Sequence, residues 1–202
     1  MKIGLDITPL IYQRGVSRYT RNLATALIDS VEVEVSLFGY SLRKKNWLEQ
    51  QGQDLLASQK DQEKKLKILG LPQSVQALLW QLRLNRVSHH LPQIDLFHSW
   101  DWLQPPDKAL PLVSTIHDLA ILKYPETAHP KVVKAHQRSW ITLKQREAHL
   151  IAVSQATKKD IVDLLKVPPW RVHVVPEALP LEIRQNSQNL TEEKYEALKQ
   201  QL

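Results

Sequence analysis

A chain of 202 residues is long enough for one domain with a sizeable core, or one domain and an extension. It holds no cysteine, which excludes disulfides, thiolate nucleophiles and cysteine metal sites. With 27 Lys and Arg against 21 Asp and Glu the net charge is +6, an excess that serves solubility and also suits an anionic surface or a phosphorylated substrate; no basic run interleaves with aromatics, so no nucleic-acid partner is expected.

Met1-Lys2 leads straight into an apolar strand, with no cleavable leader pattern, and no stretch reaches the roughly 18 apolar residues of a membrane span. A cytoplasmic protein is expected, with peripheral contact at the inner face of a membrane left open. Ile3, Leu5 and Ile7 mark a buried strand ending near Asp6. A loop from Thr8 closes at Gly15, and Val16, Tyr19, Leu23, Ala26 and Leu27 then recur at helical spacing to about Ser30. Val31, Val33, Val35 and Leu37 alternate with polar residues as a strand does. Such a strand, helix and strand form a crossover unit of parallel strands.

Residues 41 to 70 are polar and poorly periodic, which reads as a surface loop or an exposed helix. Ser74 to His90 has helical spacing, with Val75, Leu78, Leu79, Leu82 and Val87 on one face. Strands are predicted at Ile94 to His98, Leu112 to Ile116, Leu150 to Val153 and Val172 to Val175, with helices at Val132 to Glu147 and from Ser154 to near Val167. Ser154 is placed to cap the last helix, and Pro168-Pro169 stops it. This alternation predicts an α/β fold, a Rossmann-like doubly wound parallel sheet, over residues 1 to 180. Residues 181 to 202 break the rhythm and read as a linker with one helix from about Glu192.

In such a sheet ligands bind beyond the carboxyl ends of the strands. Gly15, opening a helix, suits contact with phosphate, and it also suits any tight turn. His117-Asp118 ends a strand, where the His could reach a sugar hydroxyl or simply orient its loop. In His98-Ser99-Trp100-Asp101-Trp102 the two tryptophans could form a platform for a sugar ring or a lipid headgroup, or one of them could cover the sheet edge. His136 and His149 fall on or beside a helix and are expected to be solvated or satisfied. The histidines show no metal-ligand spacing, and no dinucleotide, Walker or serine-hydrolase motif occurs.

In this order and spacing the chain resembles the N-terminal domain of family 4 glycosyltransferases. The resemblance rests on Ile3-Gly4-Leu5-Asp6, Gly15-Val16-Ser17-Arg18-Tyr19-Thr20-Arg21-Asn22-Leu23 and Asp95-Leu96-Phe97-His98-Ser99. It continues through Ser114-Thr115-Ile116-His117-Asp118-Leu119, Ile151-Ala152-Val153-Ser154-Gln155-Ala156-Thr157-Lys158-Lys159-Asp160 and Val172-His173-Val174-Val175-Pro176. It implies one half of a GT-B fold, in which this domain takes the acceptor and a C-terminal domain takes the nucleotide-sugar donor. It also implies hexosyl transfer with retention, no cofactor and no bound metal. By resemblance Gly15 approaches the donor phosphates and His117 lies near the transferred sugar; beside them Asp118 is a further candidate catalytic residue, Arg14 and Arg18 are candidate donor-phosphate contacts, and His98, Trp100 and Trp102 are candidate contacts of a sugar or lipid-linked acceptor.

Two departures stand out. The first loop has a lone Gly15 after Arg14, where the family often has two glycines. The turn after the last strand is Pro176-Glu177-Ala178-Leu179 in place of Pro-Asn-Gly-Val. The family's donor domain with its paired glutamates is expected to be missing, the chain ending about where it should begin, which leaves open a truncated or split transferase with a separate donor-domain partner, a non-catalytic binding module, and a complete Rossmann-like protein of unrelated function. Lys44-Lys45 and Lys64-Lys65 suit anionic lipid, with simple solvation the plainer account.

Overall fold

The computed structural model describes residues 1–59, 65–91 and 93–178. Seven strands form one sheet: β1 (Lys2–Asp6), β2 (Glu34–Tyr40), β3 (Leu66–Leu69), β4 (Leu96–Trp100), β5 (Leu112–Ile116), β6 (His149–Ala152) and β7 (Val172–Val174). Their order is β3-β2-β1-β4-β5-β6-β7, and every pairing is parallel. The helices are α1 (Gly15–Ile28), α2 (Lys45–Leu55), α3 (Gln73–Gln81), α4 (Val87–His90), α5 (Ala120–Lys123), α6 (Pro130–Gln145) and α7 (Gln155–Leu165). This is the Rossmann-like doubly wound sheet that the alternation of periods predicts, with one further strand beyond the usual six.

Side chains of one strand feed two cores. Along β2, Val35 and Leu37 join a cluster with Ala24 and Ile28 of α1 and Leu48 of α2. Phe38 and Tyr40 join the other cluster with Trp80, Phe97, Trp140 and Ile161. Both faces of the sheet are therefore covered, which is why its strands read as apolar runs.

Several elements differ from the sequence reading. β2 begins at Glu34, because Val31 and Glu32 lie in a turn, and Val31 is fully exposed. The polar stretch from residue 41 contains α2 and the edge strand β3. Their apolar content is small, but Leu48, Leu56 and Ile68 are buried. Gly52 allows the close approach, since a Cβ there would lie 2.5 Å from Leu66 Cδ1. Ser74 to His90 is not one helix: α3 ends at Gln81, and Arg83 and Asn85 take left-handed backbone before α4. Ser154 caps α7 as expected, its hydroxyl accepting from Thr157 N at 3.0 Å. The helix predicted from about Glu192, and the boundary at residues 180 and 181, lie outside the described residues.

Candidate active site at the switch point

Parallel pairing brings all seven carboxyl ends to one edge of the sheet. Successive strands run outward from β1 in one direction through β2 and β3, and in the other through β4 to β7. The chain therefore switches direction between β1 and β4, and a crevice opens there. Asp6, Val16, Tyr19, Thr20, His98, Ser99, Trp100, Thr115 and His117 are among its lining residues.

Thr115 near the end of β5 is the hub. Its Oγ1 lies 2.8 Å from the Tyr19 hydroxyl and 2.9 Å from His98 Nε2. A hydroxyl can accept from one neighbour and donate to the other, so both side chains are fixed at once. Tyr19 in turn meets the His117 ring edge to face, with centroids 4.8 Å apart. His117 Nδ1 lies 2.8 Å from Glu177 Oε1. A carboxylate only accepts, so His117 Nδ1 donates in this contact. The carbonyl of His117 accepts from Thr157 Oγ1 at 3.1 Å, which ties its loop to the capped start of α7. Asp118 is exposed, its Oδ1 accepting from Ala120 N at 2.8 Å at the start of α5.

His98, a candidate acceptor contact, is buried, and burial pushes its imidazole down to about 4. It is neutral, holding Thr115 from beneath the crevice. The Trp100 and Trp102 rings stack on each other, with centroids 5.9 Å apart at 12°. Tyr12 lies against Trp100 at 5.6 Å, and His136 of α6 meets Trp102 edge to face at 4.9 Å. The expectation for His136 is corrected here. It is buried, and its Nδ1 has no hydrogen bond, the Asp101 carboxylate standing off at 3.8 Å. Burial raises the Asp101 carboxyl, with the His136 and His117 imidazoles pulling the other way. His149 is exposed as expected and contacts His173 at 3.0 Å, away from the crevice.

At the carboxyl ends of β1, β2 and β4, Asp6 Oδ2 is buried without a hydrogen-bond partner, and Tyr40 OH and Trp100 Nε1 are buried facing each other without a well-formed hydrogen bond. Asp6 Oδ1 accepts from Thr8 N at 2.8 Å, and burial lifts the Asp6 carboxyl to about 6. Burial also pushes the Tyr40 phenol well up, with Asp6 adding to it. Orphaned polar atoms in one place are what water or a hydroxyl-bearing ligand satisfies.

Gly15 opens α1 on the same rim. A Cβ built there meets nothing within 4 Å. Ser17 Oγ accepts from Arg14 N at 3.2 Å, the Ser17 and Arg18 amides donate to the Arg14 carbonyl at 2.9 and 3.2 Å, and the Arg14 and Arg18 side chains are exposed at this helix start. That is an arrangement able to meet an anion. Thr115, Asp6, Tyr40 and Glu177 escaped the sequence reading as site residues. The one available signal was Thr115 on β5, two positions before His117, which follows the strand. Among the described residues no group of three or more His, Asp or Glu comes together as a metal site.

The family model described as Glycosyltransferase Family 4 matches residues 13–182. Comparison with curated proteins finds no match.

Proposed function

From the membership of this chain in Glycosyltransferase Family 4, we propose that the crevice between β1 and β4 is the acceptor side of a hexosyl transfer from a nucleotide-sugar, with retention. The family carries a glycosyltransferase-type function in general; the division of labour is our reading. The observation that supports it most is the convergence of His117, Tyr19 and Thr115 at the switch point, with Gly15 and two arginines on its rim.

In this reading His117 contacts the transferred sugar, held in place by Glu177. Trp100 and Trp102 offer a face to the acceptor, and the orphaned Asp6, Tyr40 and Trp100 atoms meet hydroxyls. Gly15, Arg14 and Arg18 approach the donor diphosphate. The catalytic contribution is then positioning and phosphate stabilisation, without a strong protein base. The bulk of donor affinity belongs to a C-terminal donor lobe facing these loops.

Calorimetric titration with UDP, GDP and their sugars tests this, alone and with a family 4 donor lobe supplied as a second chain. Donor binding that requires the second lobe is expected. In the assembled enzyme His117→Ala is then expected to lower turnover by roughly 10²–10³, the loss typical of removing one transition-state contact. Tight nucleotide-sugar binding by this chain alone, or unchanged turnover in the variant, would sink the reading.

A further inference from the structure

Helix α3 is turned opposite to its pattern. Helical spacing puts Val75, Leu78 and Leu82 on one face, which would ordinarily be the buried one. Instead Gln76 is 0 % exposed and Trp80 3 %, while Val75 is 39 %, Leu78 53 %, Leu82 58 % and Leu84 54 % exposed. The inward polar groups are held in part, Gln76 Nε2 being buried without a hydrogen-bond partner. Asn85 Nδ2 donates to Gln76 Oε1 at 2.8 Å, and Trp80 Nε1 donates to the Asn85 carbonyl at 3.0 Å. The outward apolar stripe is therefore fixed by specific bonds.

The surroundings of this stripe are basic. Residues 65 to 91 contain no Asp or Glu, and neither do residues 35 to 48. Arg83 and Arg86 follow the carboxyl end of α3, both exposed. Arg43, Lys44 and Lys45 stand near its amino end: a Cβ on Gly70 would lie 3.4 Å from Lys45 Cδ, and Lys44 Nζ donates to the carbonyl of Ile11 at 2.8 Å. Tyr12 OH donates to Gln73 Oε1 at 3.0 Å, which joins this end of α3 to the same loop. Among the described residues two acids meet this rim: Glu49 lies 3.7 Å from Lys45, and the buried Asp107 accepts from the amides of Val87 and Ser88, just after Arg86. Leu42 is a further exposed apolar residue beside it, 58 % exposed.

We propose that α3, with Leu82 and Leu84 and this basic rim, is a docking face for an anionic phospholipid surface. An apolar stripe with flanking Lys and Arg has the chemistry of an interfacial helix, which inserts its apolar side chains while its cations meet lipid phosphates. A second copy is the poorer occupant. A twofold contact through α3 would bring the same arginines and lysines of both copies together. The docking face stands whether or not the crevice transfers sugar.

The test is co-sedimentation of the full chain with phosphatidylcholine vesicles, with and without phosphatidylglycerol, at low and high salt. Binding is expected to the anionic vesicles and to weaken with salt. Leu78→Asp combined with Leu82→Asp should weaken it at least about tenfold. Both positions are exposed, so the fold should survive, as circular dichroism would show. Arg83→Glu with Arg86→Glu should cost about fivefold or more per residue. Three results overturn the proposal: no sedimentation with anionic vesicles, equal sedimentation of the double leucine variant, or a concentration-dependent dimer that this variant dissolves.

Discussion

Asp6 and His98 both lie beneath the crevice, and burial works on them in opposite senses. The Asp6 carboxyl rises to about 6, so from about pH 4 to 6 the folded chain holds a proton that the unfolded chain has lost. Its contribution to stability is complete at low pH and falls as pH rises through that window. The His98 imidazole drops to about 4, so from about pH 6.5 down to 4 the unfolded chain holds a proton that the folded chain refuses. Its contribution is complete above that window and is lost as pH falls. Each displacement amounts to about 3 kcal/mol, and over their common range the two slopes cancel. Asp6→Asn should therefore leave stability that rises with pH between about 4 and 6, and His98→Gln stability that falls. Urea unfolding across this range measures both, and parallel profiles for the two variants would contradict the burial of these groups.

Among the elements, α7 joins stability to the site. Its cap, Ser154, holds Thr157, and Thr157 holds the His117 carbonyl. Ser154→Ala should cost about 1 kcal/mol, which for a domain of this size lowers Tm by about 2–4 °C. Faster hydrogen exchange at His117 and Asp118 should accompany it; an unchanged Tm with unchanged exchange there would show that the cap carries no load. Ser154 was legible in the sequence because a cap is a local event, a serine between a buried strand and a helical period. The inner strands were legible for the same kind of reason, since burial on both faces writes an apolar run. β3 was not, because an edge strand with Ile68 as its one buried side chain writes almost nothing. Which face of α3 meets the core was not legible, because periodicity reports that a helix has an apolar side, not which side the core is on. Gln76 points inward because Asn85, nine residues away, receives it. Likewise His117 and Gly15 announced themselves at element ends. Their partners did not: Tyr19 and Thr115 are 96 residues apart, and His117 and Glu177 are 60 apart.

For the whole molecule, an all-parallel sheet wound in two directions has one place where neighbouring connections diverge, and the chemistry-bearing side chains gather there. The opposite edge, where the strands begin, carries the His149 and His173 pair with Trp170. The α3 face adjoins the crevice through Tyr12, which touches both Gln73 and Trp100. A lipid surface at α3 would thus lie beside the opening. No helix among the described residues is long and apolar enough to cross a membrane, so contact through these helices would be made from the surface. The central claim is that the switch-point crevice is where sugar is handled. Its most direct test is amide chemical-shift mapping of the full chain against a panel of nucleotide-sugars and hydroxyl-rich acceptors, at concentrations where weak binding registers. The account predicts shifts concentrated at Gly15, Tyr19, Trp100, Thr115 and His117, weakened by His117→Ala. Shifts confined to the opposite edge around His149 and His173, or none with any member of the panel, would contradict it.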